Sequence, residues 1–251
     1  EKNVAGVSAQ ALIDDLKPDI GFEIEIYKHI KPGSGIGSSA ASAAGSVFAI
    51  NQLMGEPYDK TQLTQFAMKG EAVASQSEHA DNLAPDIFGG FTLVKSLSPL
   101  EILKLPVPEE LYATIIHPQI EIKTAEARAI LPKMVSMQQA ILQWSNVGSL
   151  VHALHTKDYE LLKRSLHDAI VEPYRSQLIP HFNEIKKATL ESGALGTGIS
   201  GSGPSIFTLS KGESTAKAVE QAMRKVYENT AIDFQTYVSK VNPDGIKVIN
   251  S

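Results

Sequence analysis

Apolar residues fall at helical spacing near the start of the chain. Val4, Val7, Ala11 and Leu12 stand at i, i+3, i+7 and i+8, which predicts a helix over Asn3–Leu16. Alternation takes over in Gly21-Phe-Glu-Ile-Glu-Ile-Tyr27, which reads as a strand. After a glycine-rich stretch, a helix runs to about Met54, and its bulky residues (Val47, Phe48, Ile50, Leu53) come late. Asp59, with Gln62 three residues on, makes a capping-box-like start for a helix to about Ser77. Gly89–Val94 and Tyr112–Ile116 are strand-like, and the proline-spaced segment Pro99–Pro108 between them predicts a domain junction. Helices are predicted over 124–131, 134–156, 158–169 and 179–191, with Trp144 and its neighbours Met134, Met137, Ile141 and Leu142 as core. A second glycine-rich run, Gly193–Ser205, leads into a strand at Ile206–Leu209, then a helix at about 214–228 and a strand at 232–239. There is no repeat and no low-complexity tract, and the mixture is α+β in two packed units, 1–105 and 106–251.

Composition narrows the function. The 251 residues are enough for a real core, and with 43% hydrophobic and 20% charged residues the chain is an ordinary globular one. A net charge of −5 argues against nucleic acid and acidic membranes as partners. With no cysteine there is no disulfide, no thiol catalysis and no Cys-based metal site. No apolar run approaches the roughly 18 residues that span a bilayer, and no signal peptide precedes the first helix, so the expected location is cytoplasmic. The first residue is Glu1 rather than Met, which suggests a natural chain that begins upstream.

The chemistry concentrates in Ile30-Lys-Pro-Gly-Ser-Gly-Ile-Gly-Ser-Ser-Ala-Ala-Ser-Ala-Ala-Gly45. Gly33, Gly35 and Gly37 permit φ > 0 and bring backbone N–H groups close to a ligand. Ser38 and Ser39 open the following helix, whose N-terminus carries about half a positive charge. The small residues after them leave room for a polyphosphate, so the stretch reads as a cradle for a nucleotide phosphate. It is not a P-loop, because Ser38 rather than lysine follows Gly37. A dinucleotide fingerprint over Gly35, Gly37 and Ala40 would want a second strand and an acidic residue about 20 positions on, where the chain has Gly55-Glu56-Pro57 and another helix. A protein-kinase glycine loop would be followed by a strand.

What remains resembles the central motif, Pro-x-x-x-Gly-Leu-Gly-Ser-Ser-Ala, of the GHMP family of small-molecule kinases. Here it reads Pro32-Gly-Ser-Gly-Ile-Gly-Ser-Ser-Ala40, with isoleucine for leucine and one residue fewer before the second glycine. A second constellation lies on the helix from 60. Glu71, Ser75, Glu78 and Asn82 fall in a narrow arc at about 100° per residue, with His79 beside them, and the sequence runs on through Asp81-Asn-Leu-Ala-Pro-Asp-Ile-Phe-Gly-Gly-Phe91. Taken alone, such a polar stripe also fits a solvated face. Mg²⁺ takes hard oxygen ligands and few of them from protein, and Glu71 with the Ser39 hydroxyl is a chemically sensible pair.

Within the GHMP family these residues look like those of the homoserine kinases. So do Thr124-Ala-Glu-Ala-Arg-Ala-Ile-Leu-Pro132, Glu172-Pro-Tyr-Arg-Ser-Gln-Leu-Ile-Pro180 and Gly198-Ile-Ser-Gly-Ser-Gly-Pro204. The resemblance extends from about Asn3 to the C-terminus. It implies an N-terminal domain with the phosphate loop and a ferredoxin-like C-terminal domain, with ATP, Mg²⁺ and L-homoserine as ligands. Pro32, Gly33, Ser34, Gly35, Ile36, Gly37, Ser38, Ser39, Ala40 and Ala41 would wrap the triphosphate, and Ser39 and Glu71 would hold Mg²⁺. His79, Arg128, Arg175 and Gly201 would hold the amino acid, with Thr124 near the phosphoryl acceptor. Arg128 and Arg175 are two of only four arginines, and a carboxylate favours their planar fork over an ammonium.

Two departures stand out. Sister kinases such as mevalonate kinase place an aspartate base where this chain has Asn82, and an amide cannot accept the proton. Asn82 is therefore expected to orient the hydroxyl, whose proton goes to the γ-phosphate or solvent. The family's N-terminal Asn-x-Gly-x-Gly-Phe-Asp-like region is also missing, so the first domain is expected to be incomplete and the 251 residues alone to turn over barely or not at all. A non-catalytic binding remnant, or a sister kinase for another small alcohol, stays open beside the homoserine kinase reading. A homodimer is the one macromolecular partner left open. His152 and His155 stand at i, i+3 with no third ligand at a recognisable spacing, and His29, His117, His167 and His181 carry no motif.

Overall fold

The computed structural model describes residues 3–75 and 79–249, and the chain divides into two compact units. The first holds the residues up to Pro32, Gly37–Pro106 and those from Asn242. The second holds Gly33–Ile36 and Val107–Val241.

In the first unit, α1 (Val4–Leu16) is capped by Asn3, whose side chain accepts from Ala5 N, and ends at Lys17 in the left-handed region. The helices α2 (Ser38–Leu53) and α3 (Lys60–Ser75) pack on it and on each other. The start of α3 is the predicted capping box: Gln62 N donates to Asp59 Oδ1 and Asp59 N to Gln62 Oε1, both at 2.9 Å. Small residues let these helices approach closely. Ala9, Ala43, Ala44 and Ala67 are buried, Ser8 Oγ donates to Ala67 O, and a β-carbon on Gly70 would collide with Ser8 and Val4. A short α4 (Leu83–Phe88) and the antiparallel hairpin of β1 (Phe91–Leu97) and β2 (Leu100–Leu105) complete the unit. Residues from Asn242 return here, with Gly90 N donating to Asn242 O and Ile246 N to Asp86 O, each at 2.7 Å.

One expectation fails in this unit. Residues 21–27 alternate as a strand should, yet pair with no strand among the described residues, and Ile24, Ile26 and Tyr27 lie exposed. Alternation specifies a pleated face, but a strand also needs a neighbour's N–H and C=O groups. The segment Pro99–Pro108 carries β2, and the boundary between the two units falls within it, between Pro106 and Val107.

The second unit is built on β3 (Leu111–Pro118), β4 (Gly196–Ile199), β5 (Ile206–Lys211) and β6 (Phe234–Lys240), antiparallel in the order β4-β5-β3-β6. The helices between β3 and β4 are α5 (Thr124–Ala129), α6 (Met137–Thr156), α7 (Tyr159–Ser165), α8 (Glu172–Arg175) and α9 (Phe182–Glu191), and α10 (Glu213–Glu228) follows β5. The core joins Ile116 and Ile206 of the sheet to Phe182 and Ile185 of α9 and Val219, Met223 and Tyr227 of α10. Polar ties run across the same face, where Thr114 Oγ1 donates to Ala216 O and the Thr189 and Thr197 hydroxyls meet at 2.7 Å. This is the expected α+β mixture.

The expected core around Trp144 is not one: Met134, Met137, Ile141, Leu142 and Trp144 are all exposed, and α6 buries Ala140, Ala153 and Leu154 instead. A helical stripe in sequence shows that one face is apolar without showing that it is covered.

Candidate active site

The glycine loop has the backbone its sequence demands. Gly33, Gly35 and Gly37 lie at φ +77°, +79° and +76°, a region costly for any residue with a β-carbon. Gly37 is the N-cap of α2 and supplies no side chain to the first-turn N–H groups, which are the donors a helix start offers to an anion. The loop is held on both flanks. Ser38 Oγ donates to Ile30 O at 2.9 Å in the first unit. In the second, Ser200 Oγ donates to Gly35 O at 2.8 Å and Ser205 N to Ser34 O at 3.3 Å. A β-carbon on Gly35 would stand 2.5 Å from Ser200 O and 2.7 Å from Gly203 O, so no other residue fits there. A cavity of about 250 Å³ flanks the helix start, lined by Ile26–Ile30, Ser38, Ala41 and Ser42. Ser39 is half-buried in the first turn of α2, Ala40 buried and Ala41 exposed.

The structure brings Asn82 to this loop, since a β-carbon on Gly37 would lie 4.0 Å from Asn82 Cβ. Asn82 is not on the helix of Glu71, however. It precedes α4, so the expected stripe is broken, while Glu78 and the side chain of Ser75 lie outside the described residues. His79 is exposed between the two helices. Glu71 faces a carboxyl group the sequence reading passed over, that of Asp86 on α4. Burial first, and the negative charge of Glu71 second, push Asp86 up to about 7, and its Oδ2 is buried without a hydrogen bond. Two carboxyl groups held together in partial burial need a proton or a cation between them. Carboxylate oxygens are the kind of donor a hard cation such as Mg²⁺ takes. Among the described residues no three His or acidic side chains cluster as a larger metal site would require.

Arg175 is tied to the helix that carries Arg128. Arg175 Nε donates to Ala127 O at 3.1 Å and Nη1 to Gly201 O at 3.0 Å. The first acceptor adjoins Arg128, which sits exposed in the last turn of α5. Gly201 in turn lies against the loop, where its β-carbon would meet Gly35 O at 3.2 Å. A guanidinium has five N–H donors, more than these two bonds use. Asp168 shapes this corner by accepting from the backbone N–H groups of Ile170, Val171 and Glu172, which sets the start of α8. Glu172 is paired with Lys186. A cavity of about 360 Å³ opens beside Arg175, lined also by Glu172, Gly201, Gln143, Asn146 and Phe207. Thr124 opens α5, and its side chain lies outside the described residues.

Comparison with known proteins identifies the family of the two units. Residues 3–90 match the GHMP kinases N terminal domain and residues 150–229 the GHMP kinases C terminal domain. A homoserine kinase of Chlorobium phaeobacteroides (strain BS1) is 48% identical over 91% of this chain and 72% of its own length. One of Chloroherpeton thalassium is 42% identical over 99% of this chain and 80% of its own. The crystal structure of homoserine kinase from Cytophaga hutchinsonii superposes with a TM-score of 0.95 at 51% identity, covering 99% of this chain and 79% of that one. Mevalonate kinase of L. major, at 18% identity and a TM-score of 0.67, shares the fold.

Proposed function

Since this chain belongs to the GHMP kinase family, we infer that it transfers the γ-phosphoryl group of ATP to the side-chain hydroxyl of L-homoserine, giving O-phospho-L-homoserine on the way to threonine. Relatives named homoserine kinase match it across nearly its whole length. The observation that supports the reading is the contact series from Arg175 to Gly201 to Gly35, in which a guanidinium is tethered to a glycine that abuts the glycine loop.

In this reading residues 32–41 wrap the triphosphate, the backbone N–H groups of the loop and of the first turn of α2 facing its oxygens. Gly35 and Gly37 keep the backbone bare there. Arg128 and Arg175 hold the substrate carboxylate, and His79 and Gly201 are further residues for binding the amino acid. Asn82, next to the start of α2, orients the hydroxyl, and Thr124 stands near it. No carboxylate takes the proton at the position of Asn82. Phosphoryl transfer passes through a loose transition state in which positioning and charge neutralisation carry most of the catalysis, so the proton leaves to the γ-phosphate or to solvent. Glu71 and Ser39 would hold Mg²⁺, which supplies positive charge against the phosphate oxygens.

The test is ADP release coupled to a dehydrogenase signal, with L-homoserine, L-threonine and mevalonate compared at equal concentration. Turnover with homoserine well above both alternatives supports the reading. Preference for mevalonate, or ATP binding without turnover of any alcohol by the native protein, overturns it.

A further inference from the structure

Helix α4 has six residues, Pro85 among them. It is too short to hold a position by itself, since isolated helices below about 12–15 residues are marginal. Its buried face, Leu83, Ala84 and Ile87, sets its depth in the first unit. Its C-terminal end is set by residues 242–246, which follow the second unit in the chain but belong to the first. Ile246 N donates to Asp86 O and Gly90 N to Asn242 O, each at 2.7 Å. The first of these bonds satisfies a carbonyl group that a helix end otherwise leaves open.

Between those two bonds a pair of glycines meets backbone to backbone. Gly89 and Gly245 lie at φ +81° and +76°. A β-carbon on Gly245 would stand 2.7 Å from Gly89 N and 2.8 Å from Asp86 O and Ile87 O, and one on Gly89 would collide with Gly245 N and Pro243 O. The turn that presents Gly245 is braced by Asn242, whose Oδ1 accepts from Asp244 N at 3.0 Å and whose Nδ2 donates to Gly245 O at 2.9 Å. Lys104 Nζ on β2 donates to Pro243 O at 2.7 Å. Asn242, Pro243 and Asp244 are exposed, so this strap buries little side chain while its backbone contacts leave α4 little room to move.

The other end of α4 carries Asn82. Six residues at 1.5 Å each make the helix about 9 Å long, so a tilt at one end is felt at the other. Asn82 is the N-cap residue, yet its side chain makes no cap bond to the first turn. It lies beside the start of α2 instead, its Cβ 4.0 Å from where a β-carbon on Gly37 would stand.

We propose that residues 242–246 are a positioning element for the reaction, in which Gly245, through α4, fixes where the Asn82 amide stands against the start of α2. This rests on the role of Asn82 in the function proposed above. Asn82 meets the hydroxyl, and Gly245 acts only through Asn82.

Nuclear magnetic resonance on the native protein, with the Asn82 side-chain amide identified as the signal missing in Asn82→Ala, reads its position without substrate. That signal should shift in Gly245→Ala. It should stay in Asn3→Ala, which weakens the same unit by removing the cap of α1. In steady-state assays Gly245→Ala should lower kcat about a hundredfold, with KM for ATP and for homoserine each within about threefold of wild type. Introduced into Asn82→Ala, the same change should cost less than about threefold more, because the group it misplaces is gone. Gly245→Asn should lose as much as Gly245→Ala, since asparagine tolerates φ > 0 but its β-carbon collides all the same. An unmoved Asn82 signal in Gly245→Ala overturns the proposal. So does an equal shift in Asn3→Ala, recovery in Gly245→Asn, or an undiminished loss of rate in the Asn82→Ala background. If Gly245→Ala fails to fold, Asn242→Ala decides, because it loosens the turn without a collision. A shifted Asn82 signal with kcat lowered roughly fivefold supports the proposal, and a wild-type value on either count overturns it. A wild type that phosphorylates no homoserine overturns the function above, while the Asn82 signal still judges the strap.

Discussion

In the first unit α1, α2 and α3 meet over Ala9, Ala43, Ala44 and Ala67, whereas in the second α9 and α10 meet the sheet through Ile185, Met223, Tyr227 and Ile206. Small residues bring helix backbones together and leave the start of α2 bare enough for an anion. Large ones fill the wider gap between a helix layer and a sheet. The proposed chemistry divides along the same line, with the phosphate loop helix, Glu71 and Asn82 in the first unit and Arg128, Arg175 and Gly201 in the second. The first unit should govern turnover and the second recognition.

The sharpest way to break this comparison is Glu71→Gln. It should lower kcat by about a thousandfold, near 4 kcal/mol, with little change in the KM for homoserine. Steady-state rates at saturating Mg²⁺ check it, and near-wild-type kcat removes Glu71 from the proposed metal site. Arg175→Ala should do the reverse, raising the KM for homoserine by the equivalent of about 2–4 kcal/mol while the affinity for ATP changes little. Because Arg175 also tethers the Ala127 and Gly201 carbonyl groups, equal weakening of both substrates would mean that it acts on the loop rather than on the acid.

The cores should respond oppositely to side-chain size. Ile185→Ala should destabilise the protein by about 3 kcal/mol through an unfilled cavity, and Ala44→Leu by about 2 kcal/mol through overpacking, both read from urea melts. A neutral Ala44→Leu would show that the first core is loose rather than close-packed.

An effect visible only as a change with pH concerns Asp86. Its pKa is raised from 3.8 to about 7 by burial and by Glu71, so between those values the folded state holds more protons than the unfolded one. The stabilisation from that bound proton is complete below about pH 4 and is lost as pH rises through about 7, with a slope of at most about 1.4 kcal/mol per pH unit. In the metal-free protein Asp86→Asn should remove this fall in stability between pH 5 and 8. Parallel curves for variant and wild type would show that Asp86 does not titrate there.

Much of the fold was legible because its signals are local. The cap at Asp59 involves groups three residues apart, and the φ > 0 glycines of the loop follow from covalent geometry. What escaped depends on distant neighbours. In β4, Gly196 and Gly198 count against a strand by composition, yet β-carbons there would press on Leu166 and Phe207. Residues 21–27 have the alternation of a strand without its partner. Asp86 stands fifteen positions from Glu71, and only the packing of α4 near α3 makes their charges matter to each other. Trp144 and its neighbours show the same limit from the other side, since spacing identifies an apolar face and leaves open whether it is covered.

The route of the chain between the units has a consequence for synthesis. It passes from one unit to the other four times, at 32/33, 36/37, 106/107 and 241/242. The backbone bonds of Gly90 to Asn242 and of Asp86 to Ile246 therefore join the middle of the first unit to residues made only after the second unit. A ribosome adding about 5–20 residues per second needs on the order of ten seconds to travel from Pro106 to Asn242. For that interval α4 waits without the closing strap of its own unit, and the second unit has time to fold as a complete insertion before the first can finish.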